Sequence, residues 1–176
     1  MKPRIGVFDS GIGGITVLTE LRKKLPHCDY VYLGDTAHLP YGTKSPKQIQ
    51  KLSAHCAKQL KKKKIQILVV ACNTISSWAL PAIQKIMGKV PVVGVVEPGV
   101  EAALAAWKEL PKRSSSTPVL VLATRATVQS GAYSSLLTSH LFQTASQYKS
   151  KPSTCIKKYV KYTSIPPIKS RRICLN

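Results

Sequence analysis

The segment of residues 65–74, IQILVVACNT, constrains the fold more than any other part of the chain. Its nearly unbroken run of apolar, β-branched side chains is typical of a strand buried on both faces, as in a parallel sheet covered by helices. A helical pattern follows at residues 76–87, so Cys72 is predicted to lie where a strand ends and a helix begins. That position is the rim of an open α/β sheet, where such folds bind their ligands.

The Cys72 thiol has two interpretations at this point. A helix N-terminus favours the thiolate over the thiol, which would make Cys72 a base or a nucleophile. The alternative is a small buried hydrophobic side chain, which is the commoner role of a free cysteine.

The same order of strand and helix recurs along the chain. Strands are predicted at residues 4–8, 30–33, 65–71, 90–96 and 118–123, and helices at residues 15–25, 45–60, 76–87, 100–110 and 128–142. The second helix has a capping box, with Ser45 as the cap, Pro46 at the first position and Gln48 at the third. Its buried face is predicted to hold Ile49, Leu52, Cys56 and Leu60. This alternation predicts an α/β fold, an open parallel sheet with helices on both faces.

The first predicted strand ends at Asp9-Ser10-Gly11-Ile12-Gly13-Gly14. A dinucleotide fingerprint beginning at Gly11 would need a glycine at position 16, which is Thr16, so a nucleotide site is not favoured. Asp9 and Ser10 instead offer a carboxylate and a hydroxyl that suit a small polar ligand or a proton relay. The alternative role for both side chains is a helix cap.

Four of the five predicted strands end in polar residues. The carboxyl ends of parallel strands meet at one edge of a sheet, so these residues are expected to form one ligand site.

The charge of the chain is unusual and unevenly distributed. Residues 1–109 hold 16 basic and 7 acidic residues, a net +9, whereas residues 110–176 hold 11 basic residues and no acid, which completes the formal net charge of +20. Such a charge attracts nucleic acid or anionic surfaces. However, no stacking aromatic residues lie among the basic runs, and the lysines at residues 61–64 are typical of a solvated helix end.

The five cysteines are irregularly spaced and predict neither a disulfide framework nor a metal site. Neither His38 nor His55 has a plausible second metal ligand. The thiols favour a reducing, cytoplasmic setting. No signal peptide or membrane span is expected, because the longest apolar run is far shorter than the roughly 20 residues that a span needs.

Composition divides the chain into three parts. Residues 1–110 are predicted to form a first α/β domain with the Cys72 motif, and residues 111–142 the start of a second α/β domain. The polar stretch at residues 111–117 marks the boundary between them. Residues 143–176, with eight Lys and Arg and no acid, are predicted to be a basic tail that is disordered or non-native.

With these residues identified, the chain resembles the glutamate racemases of the aspartate/glutamate racemase superfamily. The matching motifs are FDSGIGG (residues 8–14), GDTAHLPYG (34–42), ACNT (71–74), GVVEPG (94–99) and ATRATVQSGAY (123–133). The resemblance covers about the first 142 residues. It implies a two-domain α/β enzyme that interconverts L- and D-glutamate with two cysteines and no cofactor, and supplies D-glutamate for peptidoglycan and the cell wall.

The resemblance also implies roles for individual residues. Cys72 corresponds to the first catalytic cysteine, and Asp9 to the carboxylate that assists it. The residues that would hold the carboxylates and ammonium of the amino acid are Ser10, Pro40, Tyr41, Gly42, Asn73, Thr74, Thr124 and Thr127.

One family motif has no counterpart here. The second catalytic cysteine is expected in a GCTHYP-like string, and these 176 residues contain none, since Cys155 and Cys174 lie in other contexts. The change in composition after Phe142 suggests a truncated or frameshifted product, or a wrong gene model, with the two-domain architecture only partly present. We therefore expect this chain not to racemise by itself.

The sequence leaves alternatives open. A racemase for aspartate or another amino acid shares most of these features, although the ACNT and PYG strings favour glutamate. A non-catalytic basic binding protein is the alternative from another functional class. The expected ligand is L- or D-glutamate. We expect no binding to a membrane or to a specific nucleic acid, and the sequence leaves the formation of a homodimer open.

Overall fold

The computed structural model describes residues 2–111, 119–147 and 162–164 of the 176-residue chain. The strands are β1 (Arg4–Asp9), β2 (Asp29–Gly34), β3 (Ile67–Val70), β4 (Val92–Gly94), β5 (Val121–Ala123) and β6 (Tyr162–Ser164). The helices are α1 (Ile15–Lys24), α2 (Pro46–Lys61), α3 (Asn73–Trp78), α4 (Leu80–Met87), α5 (Val96–Glu109), α6 (Arg125–Ser130) and α7 (Ala132–Gln147). Two short 3-10 turns, Thr36–His38 and Tyr41–Thr43, lie between β2 and α2.

The first four strands form one parallel sheet in the order β2-β1-β3-β4. Phe8 of β1 lies opposite Leu33 of β2 and Val70 of β3. The strand ends are therefore level, and the residues that follow them meet at one edge of the sheet, as the sequence predicts.

Helices cover both faces of this sheet, which confirms the predicted fold class. Ile5 and Val7 point to the face covered by α1, where Val17, Leu18 and Leu21 pack on them. Leu68 and Val70 are fully buried on the opposite face, in the core formed with α2, α3 and α4. Burial on both faces explains why β3 has no alternation of apolar and polar residues.

Helix α2 begins as predicted. The Ser45 hydroxyl accepts a hydrogen bond from the Gln48 N–H, and the Gln48 side chain accepts one from the Ser45 N–H, which completes the capping box. Of the predicted inner face, Ile49, Cys56 and Leu60 are buried and Leu52 is partly buried.

The helical segment after Cys72 differs from the single helix predicted at residues 76–87. Helix α3 begins directly at Asn73, and a break at Ala79 separates it from α4. Pro81 lies in the first turn of α4, and a proline has no N–H to continue the hydrogen-bond ladder of a preceding helix. The break turns the chain so that α3 stays at the sheet edge while Ile83 and Met87 of α4 enter the core.

The fourth strand is shorter than the predicted segment 90–96, and α5 begins at Val96 rather than at Val100. Pro98 and the acidic Glu97 both lie in the first turn of α5. The first turn tolerates proline, because its N–H groups have no partner within the helix, and it favours a negative charge.

After residues 112–118, which lie outside the described part, the chain forms a second, two-stranded parallel sheet of β5 and β6. One helix was predicted at residues 128–142. The structure has α6 and α7, separated by Gly131 in the left-handed conformation with φ +67°. Helix α7 continues to Gln147, five residues past the predicted end. The division at residues 110 and 142 remains a prediction, and the rest of the tail lies outside the described residues.

Within the described ranges, no helix is both long and apolar enough to cross a membrane.

Candidate active site

Cys72 lies between the end of β3 and the first residue of α3, where it is the capping residue of that helix. Its Sγ atom is 3.3 Å from the Ser10 hydroxyl, which follows the neighbouring strand β1. Burial raises the pKa of the Cys72 thiol, while hydrogen bonds from the Ser10 hydroxyl and the Ile75 N–H act in the opposite direction. The raised pKa means that the Cys72 thiolate, once formed, is more basic than that of an ordinary cysteine.

Asp9 is buried at the end of β1. Its Oδ2 atom accepts hydrogen bonds from the backbone N–H of Gly11 at 3.2 Å and of Gly14 at 3.0 Å. The carboxylate therefore holds the turn that leads into α1, as a capping group does. The negative charge of Asp9 also raises the Cys72 pKa. A neighbouring negative charge makes a thiolate less stable and more basic.

Tyr32 and Gly34 of β2 support the same turn from the neighbouring strand. The Tyr32 hydroxyl donates a hydrogen bond to the Gly11 carbonyl oxygen at 2.8 Å. Burial, Asp9 and Cys72 raise the pKa of Tyr32 to about 12, so this hydroxyl remains a donor at neutral pH. The sequence interpretation missed Tyr32, although it lies only two residues before the GDTAHLPYG motif.

Gly34 lies so close to the Gly11 backbone that no larger residue fits at this position. A Cβ atom at this position would overlap the Gly11 carbonyl oxygen, so Gly34→Ala must displace the turn that carries Asp9 and Ser10. We expect a loss of roughly 1–3 kcal/mol in the free energy of unfolding, measured by urea denaturation. Gly13→Ala is the matched control, because its Cβ would meet Asp9 only at 3.7 Å. Equal stability of the two variants would contradict the close approach of Gly34 to Gly11.

The loop with Pro40, Tyr41 and Gly42 lies beside this turn and contains a cis peptide bond between Leu39 and Pro40. Tyr41 is 1% exposed, and its hydroxyl donates to Asp35 Oδ2 at 2.6 Å. The resemblance implies that Tyr41 contacts the substrate, but its side chain lies in the core. The Tyr41 ring is therefore shielded from solvent, while Pro40 remains exposed.

Three threonines link α3 to α6. The Thr74 Oγ1 atom is 2.9 Å from that of Thr124 and 3.1 Å from that of Thr127, and the last two are 3.0 Å apart. Each hydroxyl can donate to the next around this triangle, and one donor can rotate outward when an anion arrives. Gly42 packs against the same group, since its Cβ would lie 2.6 Å from Thr124 Cβ.

Asn73 is exposed next to Cys72, and its Oδ1 atom accepts a hydrogen bond of 2.6 Å from the Tyr133 hydroxyl. A cavity of about 380 Å³ opens beside this pair. Its lining includes Asn73, Thr124, Thr127 and Tyr133, together with apolar residues of α5, β5 and α7. The lining does not include Cys72, Asp9 or Ser10. The cavity therefore reaches the threonines and Asn73 but not the Cys72 sulfur. Tyr133 was not predicted, although it is the last residue of the ATRATVQSGAY motif.

In the parts of the chain that the structure describes, no group of three or more His, Cys, Asp or Glu side chains could hold a metal ion. Cys28, Cys56 and Cys72 are free thiols. The site therefore consists of a thiol, a buried carboxylate and a group of hydroxyl and amide side chains. Such groups suit proton transfer on a small anionic molecule.

Comparisons with known proteins point to one family. The family model described as Asp/Glu/Hydantoin racemase matches residues 16–154. The glutamate racemase of Aquifex pyrophilus is 49% identical over 130 residues, which cover 74% of this chain and 48% of that protein. The glutamate racemase of Geobacter metallireducens is 48% identical over 129 residues, covering 73% of this chain and 45% of the relative.

Two solved structures have the same fold. Glutamate racemase from Aquifex pyrophilus matches with a TM-score of 0.70 and 47% identity, over 77% of this chain and 51% of that one. Glutamate racemase from Francisella tularensis in complex with D-glutamate matches with a TM-score of 0.71 and 37% identity, over 92% of this chain and 52% of that one. The chain spans about half the length of the curated relatives it matches.

Proposed function

Because the chain belongs to the Asp/Glu/hydantoin racemase family, we propose that it acts on the Cα–H bond of glutamate, with Cys72 as the acid/base residue on one face of the substrate. The observation that carries this proposal is the 3.3 Å contact between Cys72 and Ser10 at the sheet edge. It lies next to the polar group of Asn73 and three threonines, which can hold a dianionic amino acid.

The chemical difficulty is that the α-proton of an amino acid is very weakly acidic. The Cys72 thiolate takes this proton, so that the C–H bond breaks, an S–H bond forms and the electron pair remains on Cα. The Ser10 hydroxyl and the Ile75 N–H stabilise the sulfur in its charged form. The negative charge of Asp9 acts in the opposite direction and makes the thiolate more basic.

The carboxylates of glutamate need hydrogen-bond donors. The threonine triangle supplies hydroxyl groups, and Asn73 supplies its side-chain amide. The backbone of the Pro40-Tyr41-Gly42 loop lies against Thr124 and adds further groups. Hydrogen bonds from neutral donors to a charged carboxylate are stronger than those between neutral groups.

Inversion of configuration needs a second acid on the opposite face of Cα, and the sequence places none in a GCTHYP-like string. We therefore propose that the 176-residue chain exchanges the α-proton without inverting the centre. We also propose that the family reaction supplies D-glutamate for peptidoglycan in the cytoplasm, which the free thiols support. The homodimer remains a prediction. The family match does not favour the non-catalytic basic binding protein.

Deuterium exchange tests the proposal. The chain is incubated in D2O with D-glutamate, L-glutamate, D-aspartate or L-aspartate, and the α-proton signal is followed by NMR. We expect one enantiomer of glutamate to lose this signal. Cys28→Ser is a matched control, because Cys28 lies between α1 and β2, away from the Cys72 edge. Faster exchange with aspartate than with glutamate would identify aspartate as the preferred substrate. No exchange with any of the four amino acids would contradict the proposal.

A further inference from the structure

Tyr133 is the last residue of the ATRATVQSGAY motif, but the proposed reaction gives its side chain no role. Its ring lies between α5 and α7, where it packs against the cluster of Val100, Leu104 and Leu137. Gly99 leaves room for the hydroxyl, since a Cβ there would lie 3.3 Å from the Tyr133 oxygen. The hydroxyl is therefore held in place by packing before any ligand binds.

The partner of this hydroxyl is the side-chain oxygen of Asn73, at 2.6 Å. The Tyr133 hydroxyl is the donor in this bond, and the acceptor of an amide side chain is its oxygen, so Oδ1 faces Tyr133 and Nδ2 does not. Burial raises the pKa of Tyr133, which keeps its hydroxyl protonated and donating.

The amide of Asn73 has two ends, and fixing one fixes the other. With Oδ1 bound to Tyr133, both hydrogens of Nδ2 are left for another acceptor. Among the described residues, Nδ2 has no hydrogen-bond partner, and Asn73 is exposed at the wall of the 380 Å³ cavity. Without Tyr133, the amide could rotate by 180° and present an oxygen, which repels a carboxylate.

We propose that Tyr133 is a positioning residue that makes the site selective for a carboxylate over a carboxamide, by locking the Asn73 amide with its NH2 group toward the ligand. This inference rests on the proposed function, because it assumes that a carboxylate of glutamate reaches Asn73. It adds a specificity determinant that acts through Asn73 and does not contact the substrate itself.

The test measures dissociation constants by calorimetry for D-glutamate and two analogues. In D-glutamine an amide replaces the side-chain carboxylate, and in D-isoglutamine an amide replaces the α-carboxylate. The parent chain is expected to prefer glutamate over the analogue whose amide faces Asn73 by about tenfold or more. Tyr133→Phe is expected to weaken glutamate binding about tenfold and to remove most of that one preference. The preference over the other analogue should not change.

Two further variants separate positioning from general damage. In Asn73→Ala, adding Tyr133→Phe should change glutamate affinity less than twofold, because the hydroxyl acts through the amide. Tyr30→Phe is the matched control, since the Tyr30 hydroxyl donates to the Leu21 and Leu25 carbonyls beside α1. It should bind all three ligands like the parent.

The outcomes are distinguishable. Equal weakening of all three ligands by Tyr133→Phe, or an additive effect in the double variant, would overturn the positioning role and leave the proposed function intact. A parent chain that binds neither glutamate nor its analogues would overturn the proposed function, and the inference with it.

Discussion

Replacing Cys72 with serine is expected to slow the exchange of the α-proton of glutamate by about 10²–10⁴-fold, the usual contribution of a positioned general base. Serine preserves the size of the side chain and its contact with Ser10, but a hydroxyl ionises far less readily than a thiol. The affinity for D-glutamate should change only a few-fold, because the threonine triangle and Asn73 remain. Proton NMR in D2O measures the exchange rate, and calorimetry measures the affinity.

The pH dependence of the same rate follows from the Cys72 pKa. Proton abstraction needs the thiolate, and burial raises the pKa of this thiol above its ordinary value. The rate should therefore rise by up to tenfold per pH unit through neutral pH, and level off only above the ordinary range of a thiol. Ser10→Ala removes a hydrogen bond that favours the thiolate, so it should lower the rate at a given pH. A Cys72→Ser variant with the parent rate would show that another group is the base.

The position of Cys72 could be predicted from the sequence because the signals are local. A β-branched run followed by helical periodicity places Cys72 at a strand end, and the capping box of α2 depends only on Ser45 and Gln48. The exact helix starts after β3 and β4 were less predictable, because Pro81 and Pro98 are compatible with either a loop or a first helical turn.

The supporting residues were not predictable in the same way. Tyr32 contacts Gly11 across 21 residues of sequence, and Tyr133 contacts Asn73 across 60. Neither spacing has a local periodicity, so these pairs exist only once the sheet and α7 are in place. Tyr41 differs from these two residues, because the motif gave it a role at the ligand. In the structure its side chain is buried, and its hydroxyl binds Asp35 and supports the loop from the core.

The 176-residue chain is expected to exchange the α-proton of one glutamate enantiomer while leaving its configuration unchanged. A proton removed by Cys72 leaves from one face of Cα, and without the acid that a GCTHYP-like motif would supply it returns to that same face. Deuterium from solvent enters through the exchanged thiol, so the α-proton signal disappears while the optical signal stays constant. NMR in D2O and circular dichroism at the same time points measure the two quantities.

The full-length glutamate racemase of Aquifex pyrophilus is the positive control for this experiment, and both of its signals should change together. The opposite enantiomer should show slower exchange with the 176-residue chain, because its α-proton points away from Cys72. A parallel fall of the optical and α-proton signals would mean that the chain contains a second acid. Cys155→Ser and Cys174→Ser variants would then show which thiol supplies it, since both cysteines lie outside the described residues. Optical stability with steady deuterium uptake, together with the loss of that uptake in Cys72→Ser, would instead establish Cys72 as a base that serves a single face of the substrate.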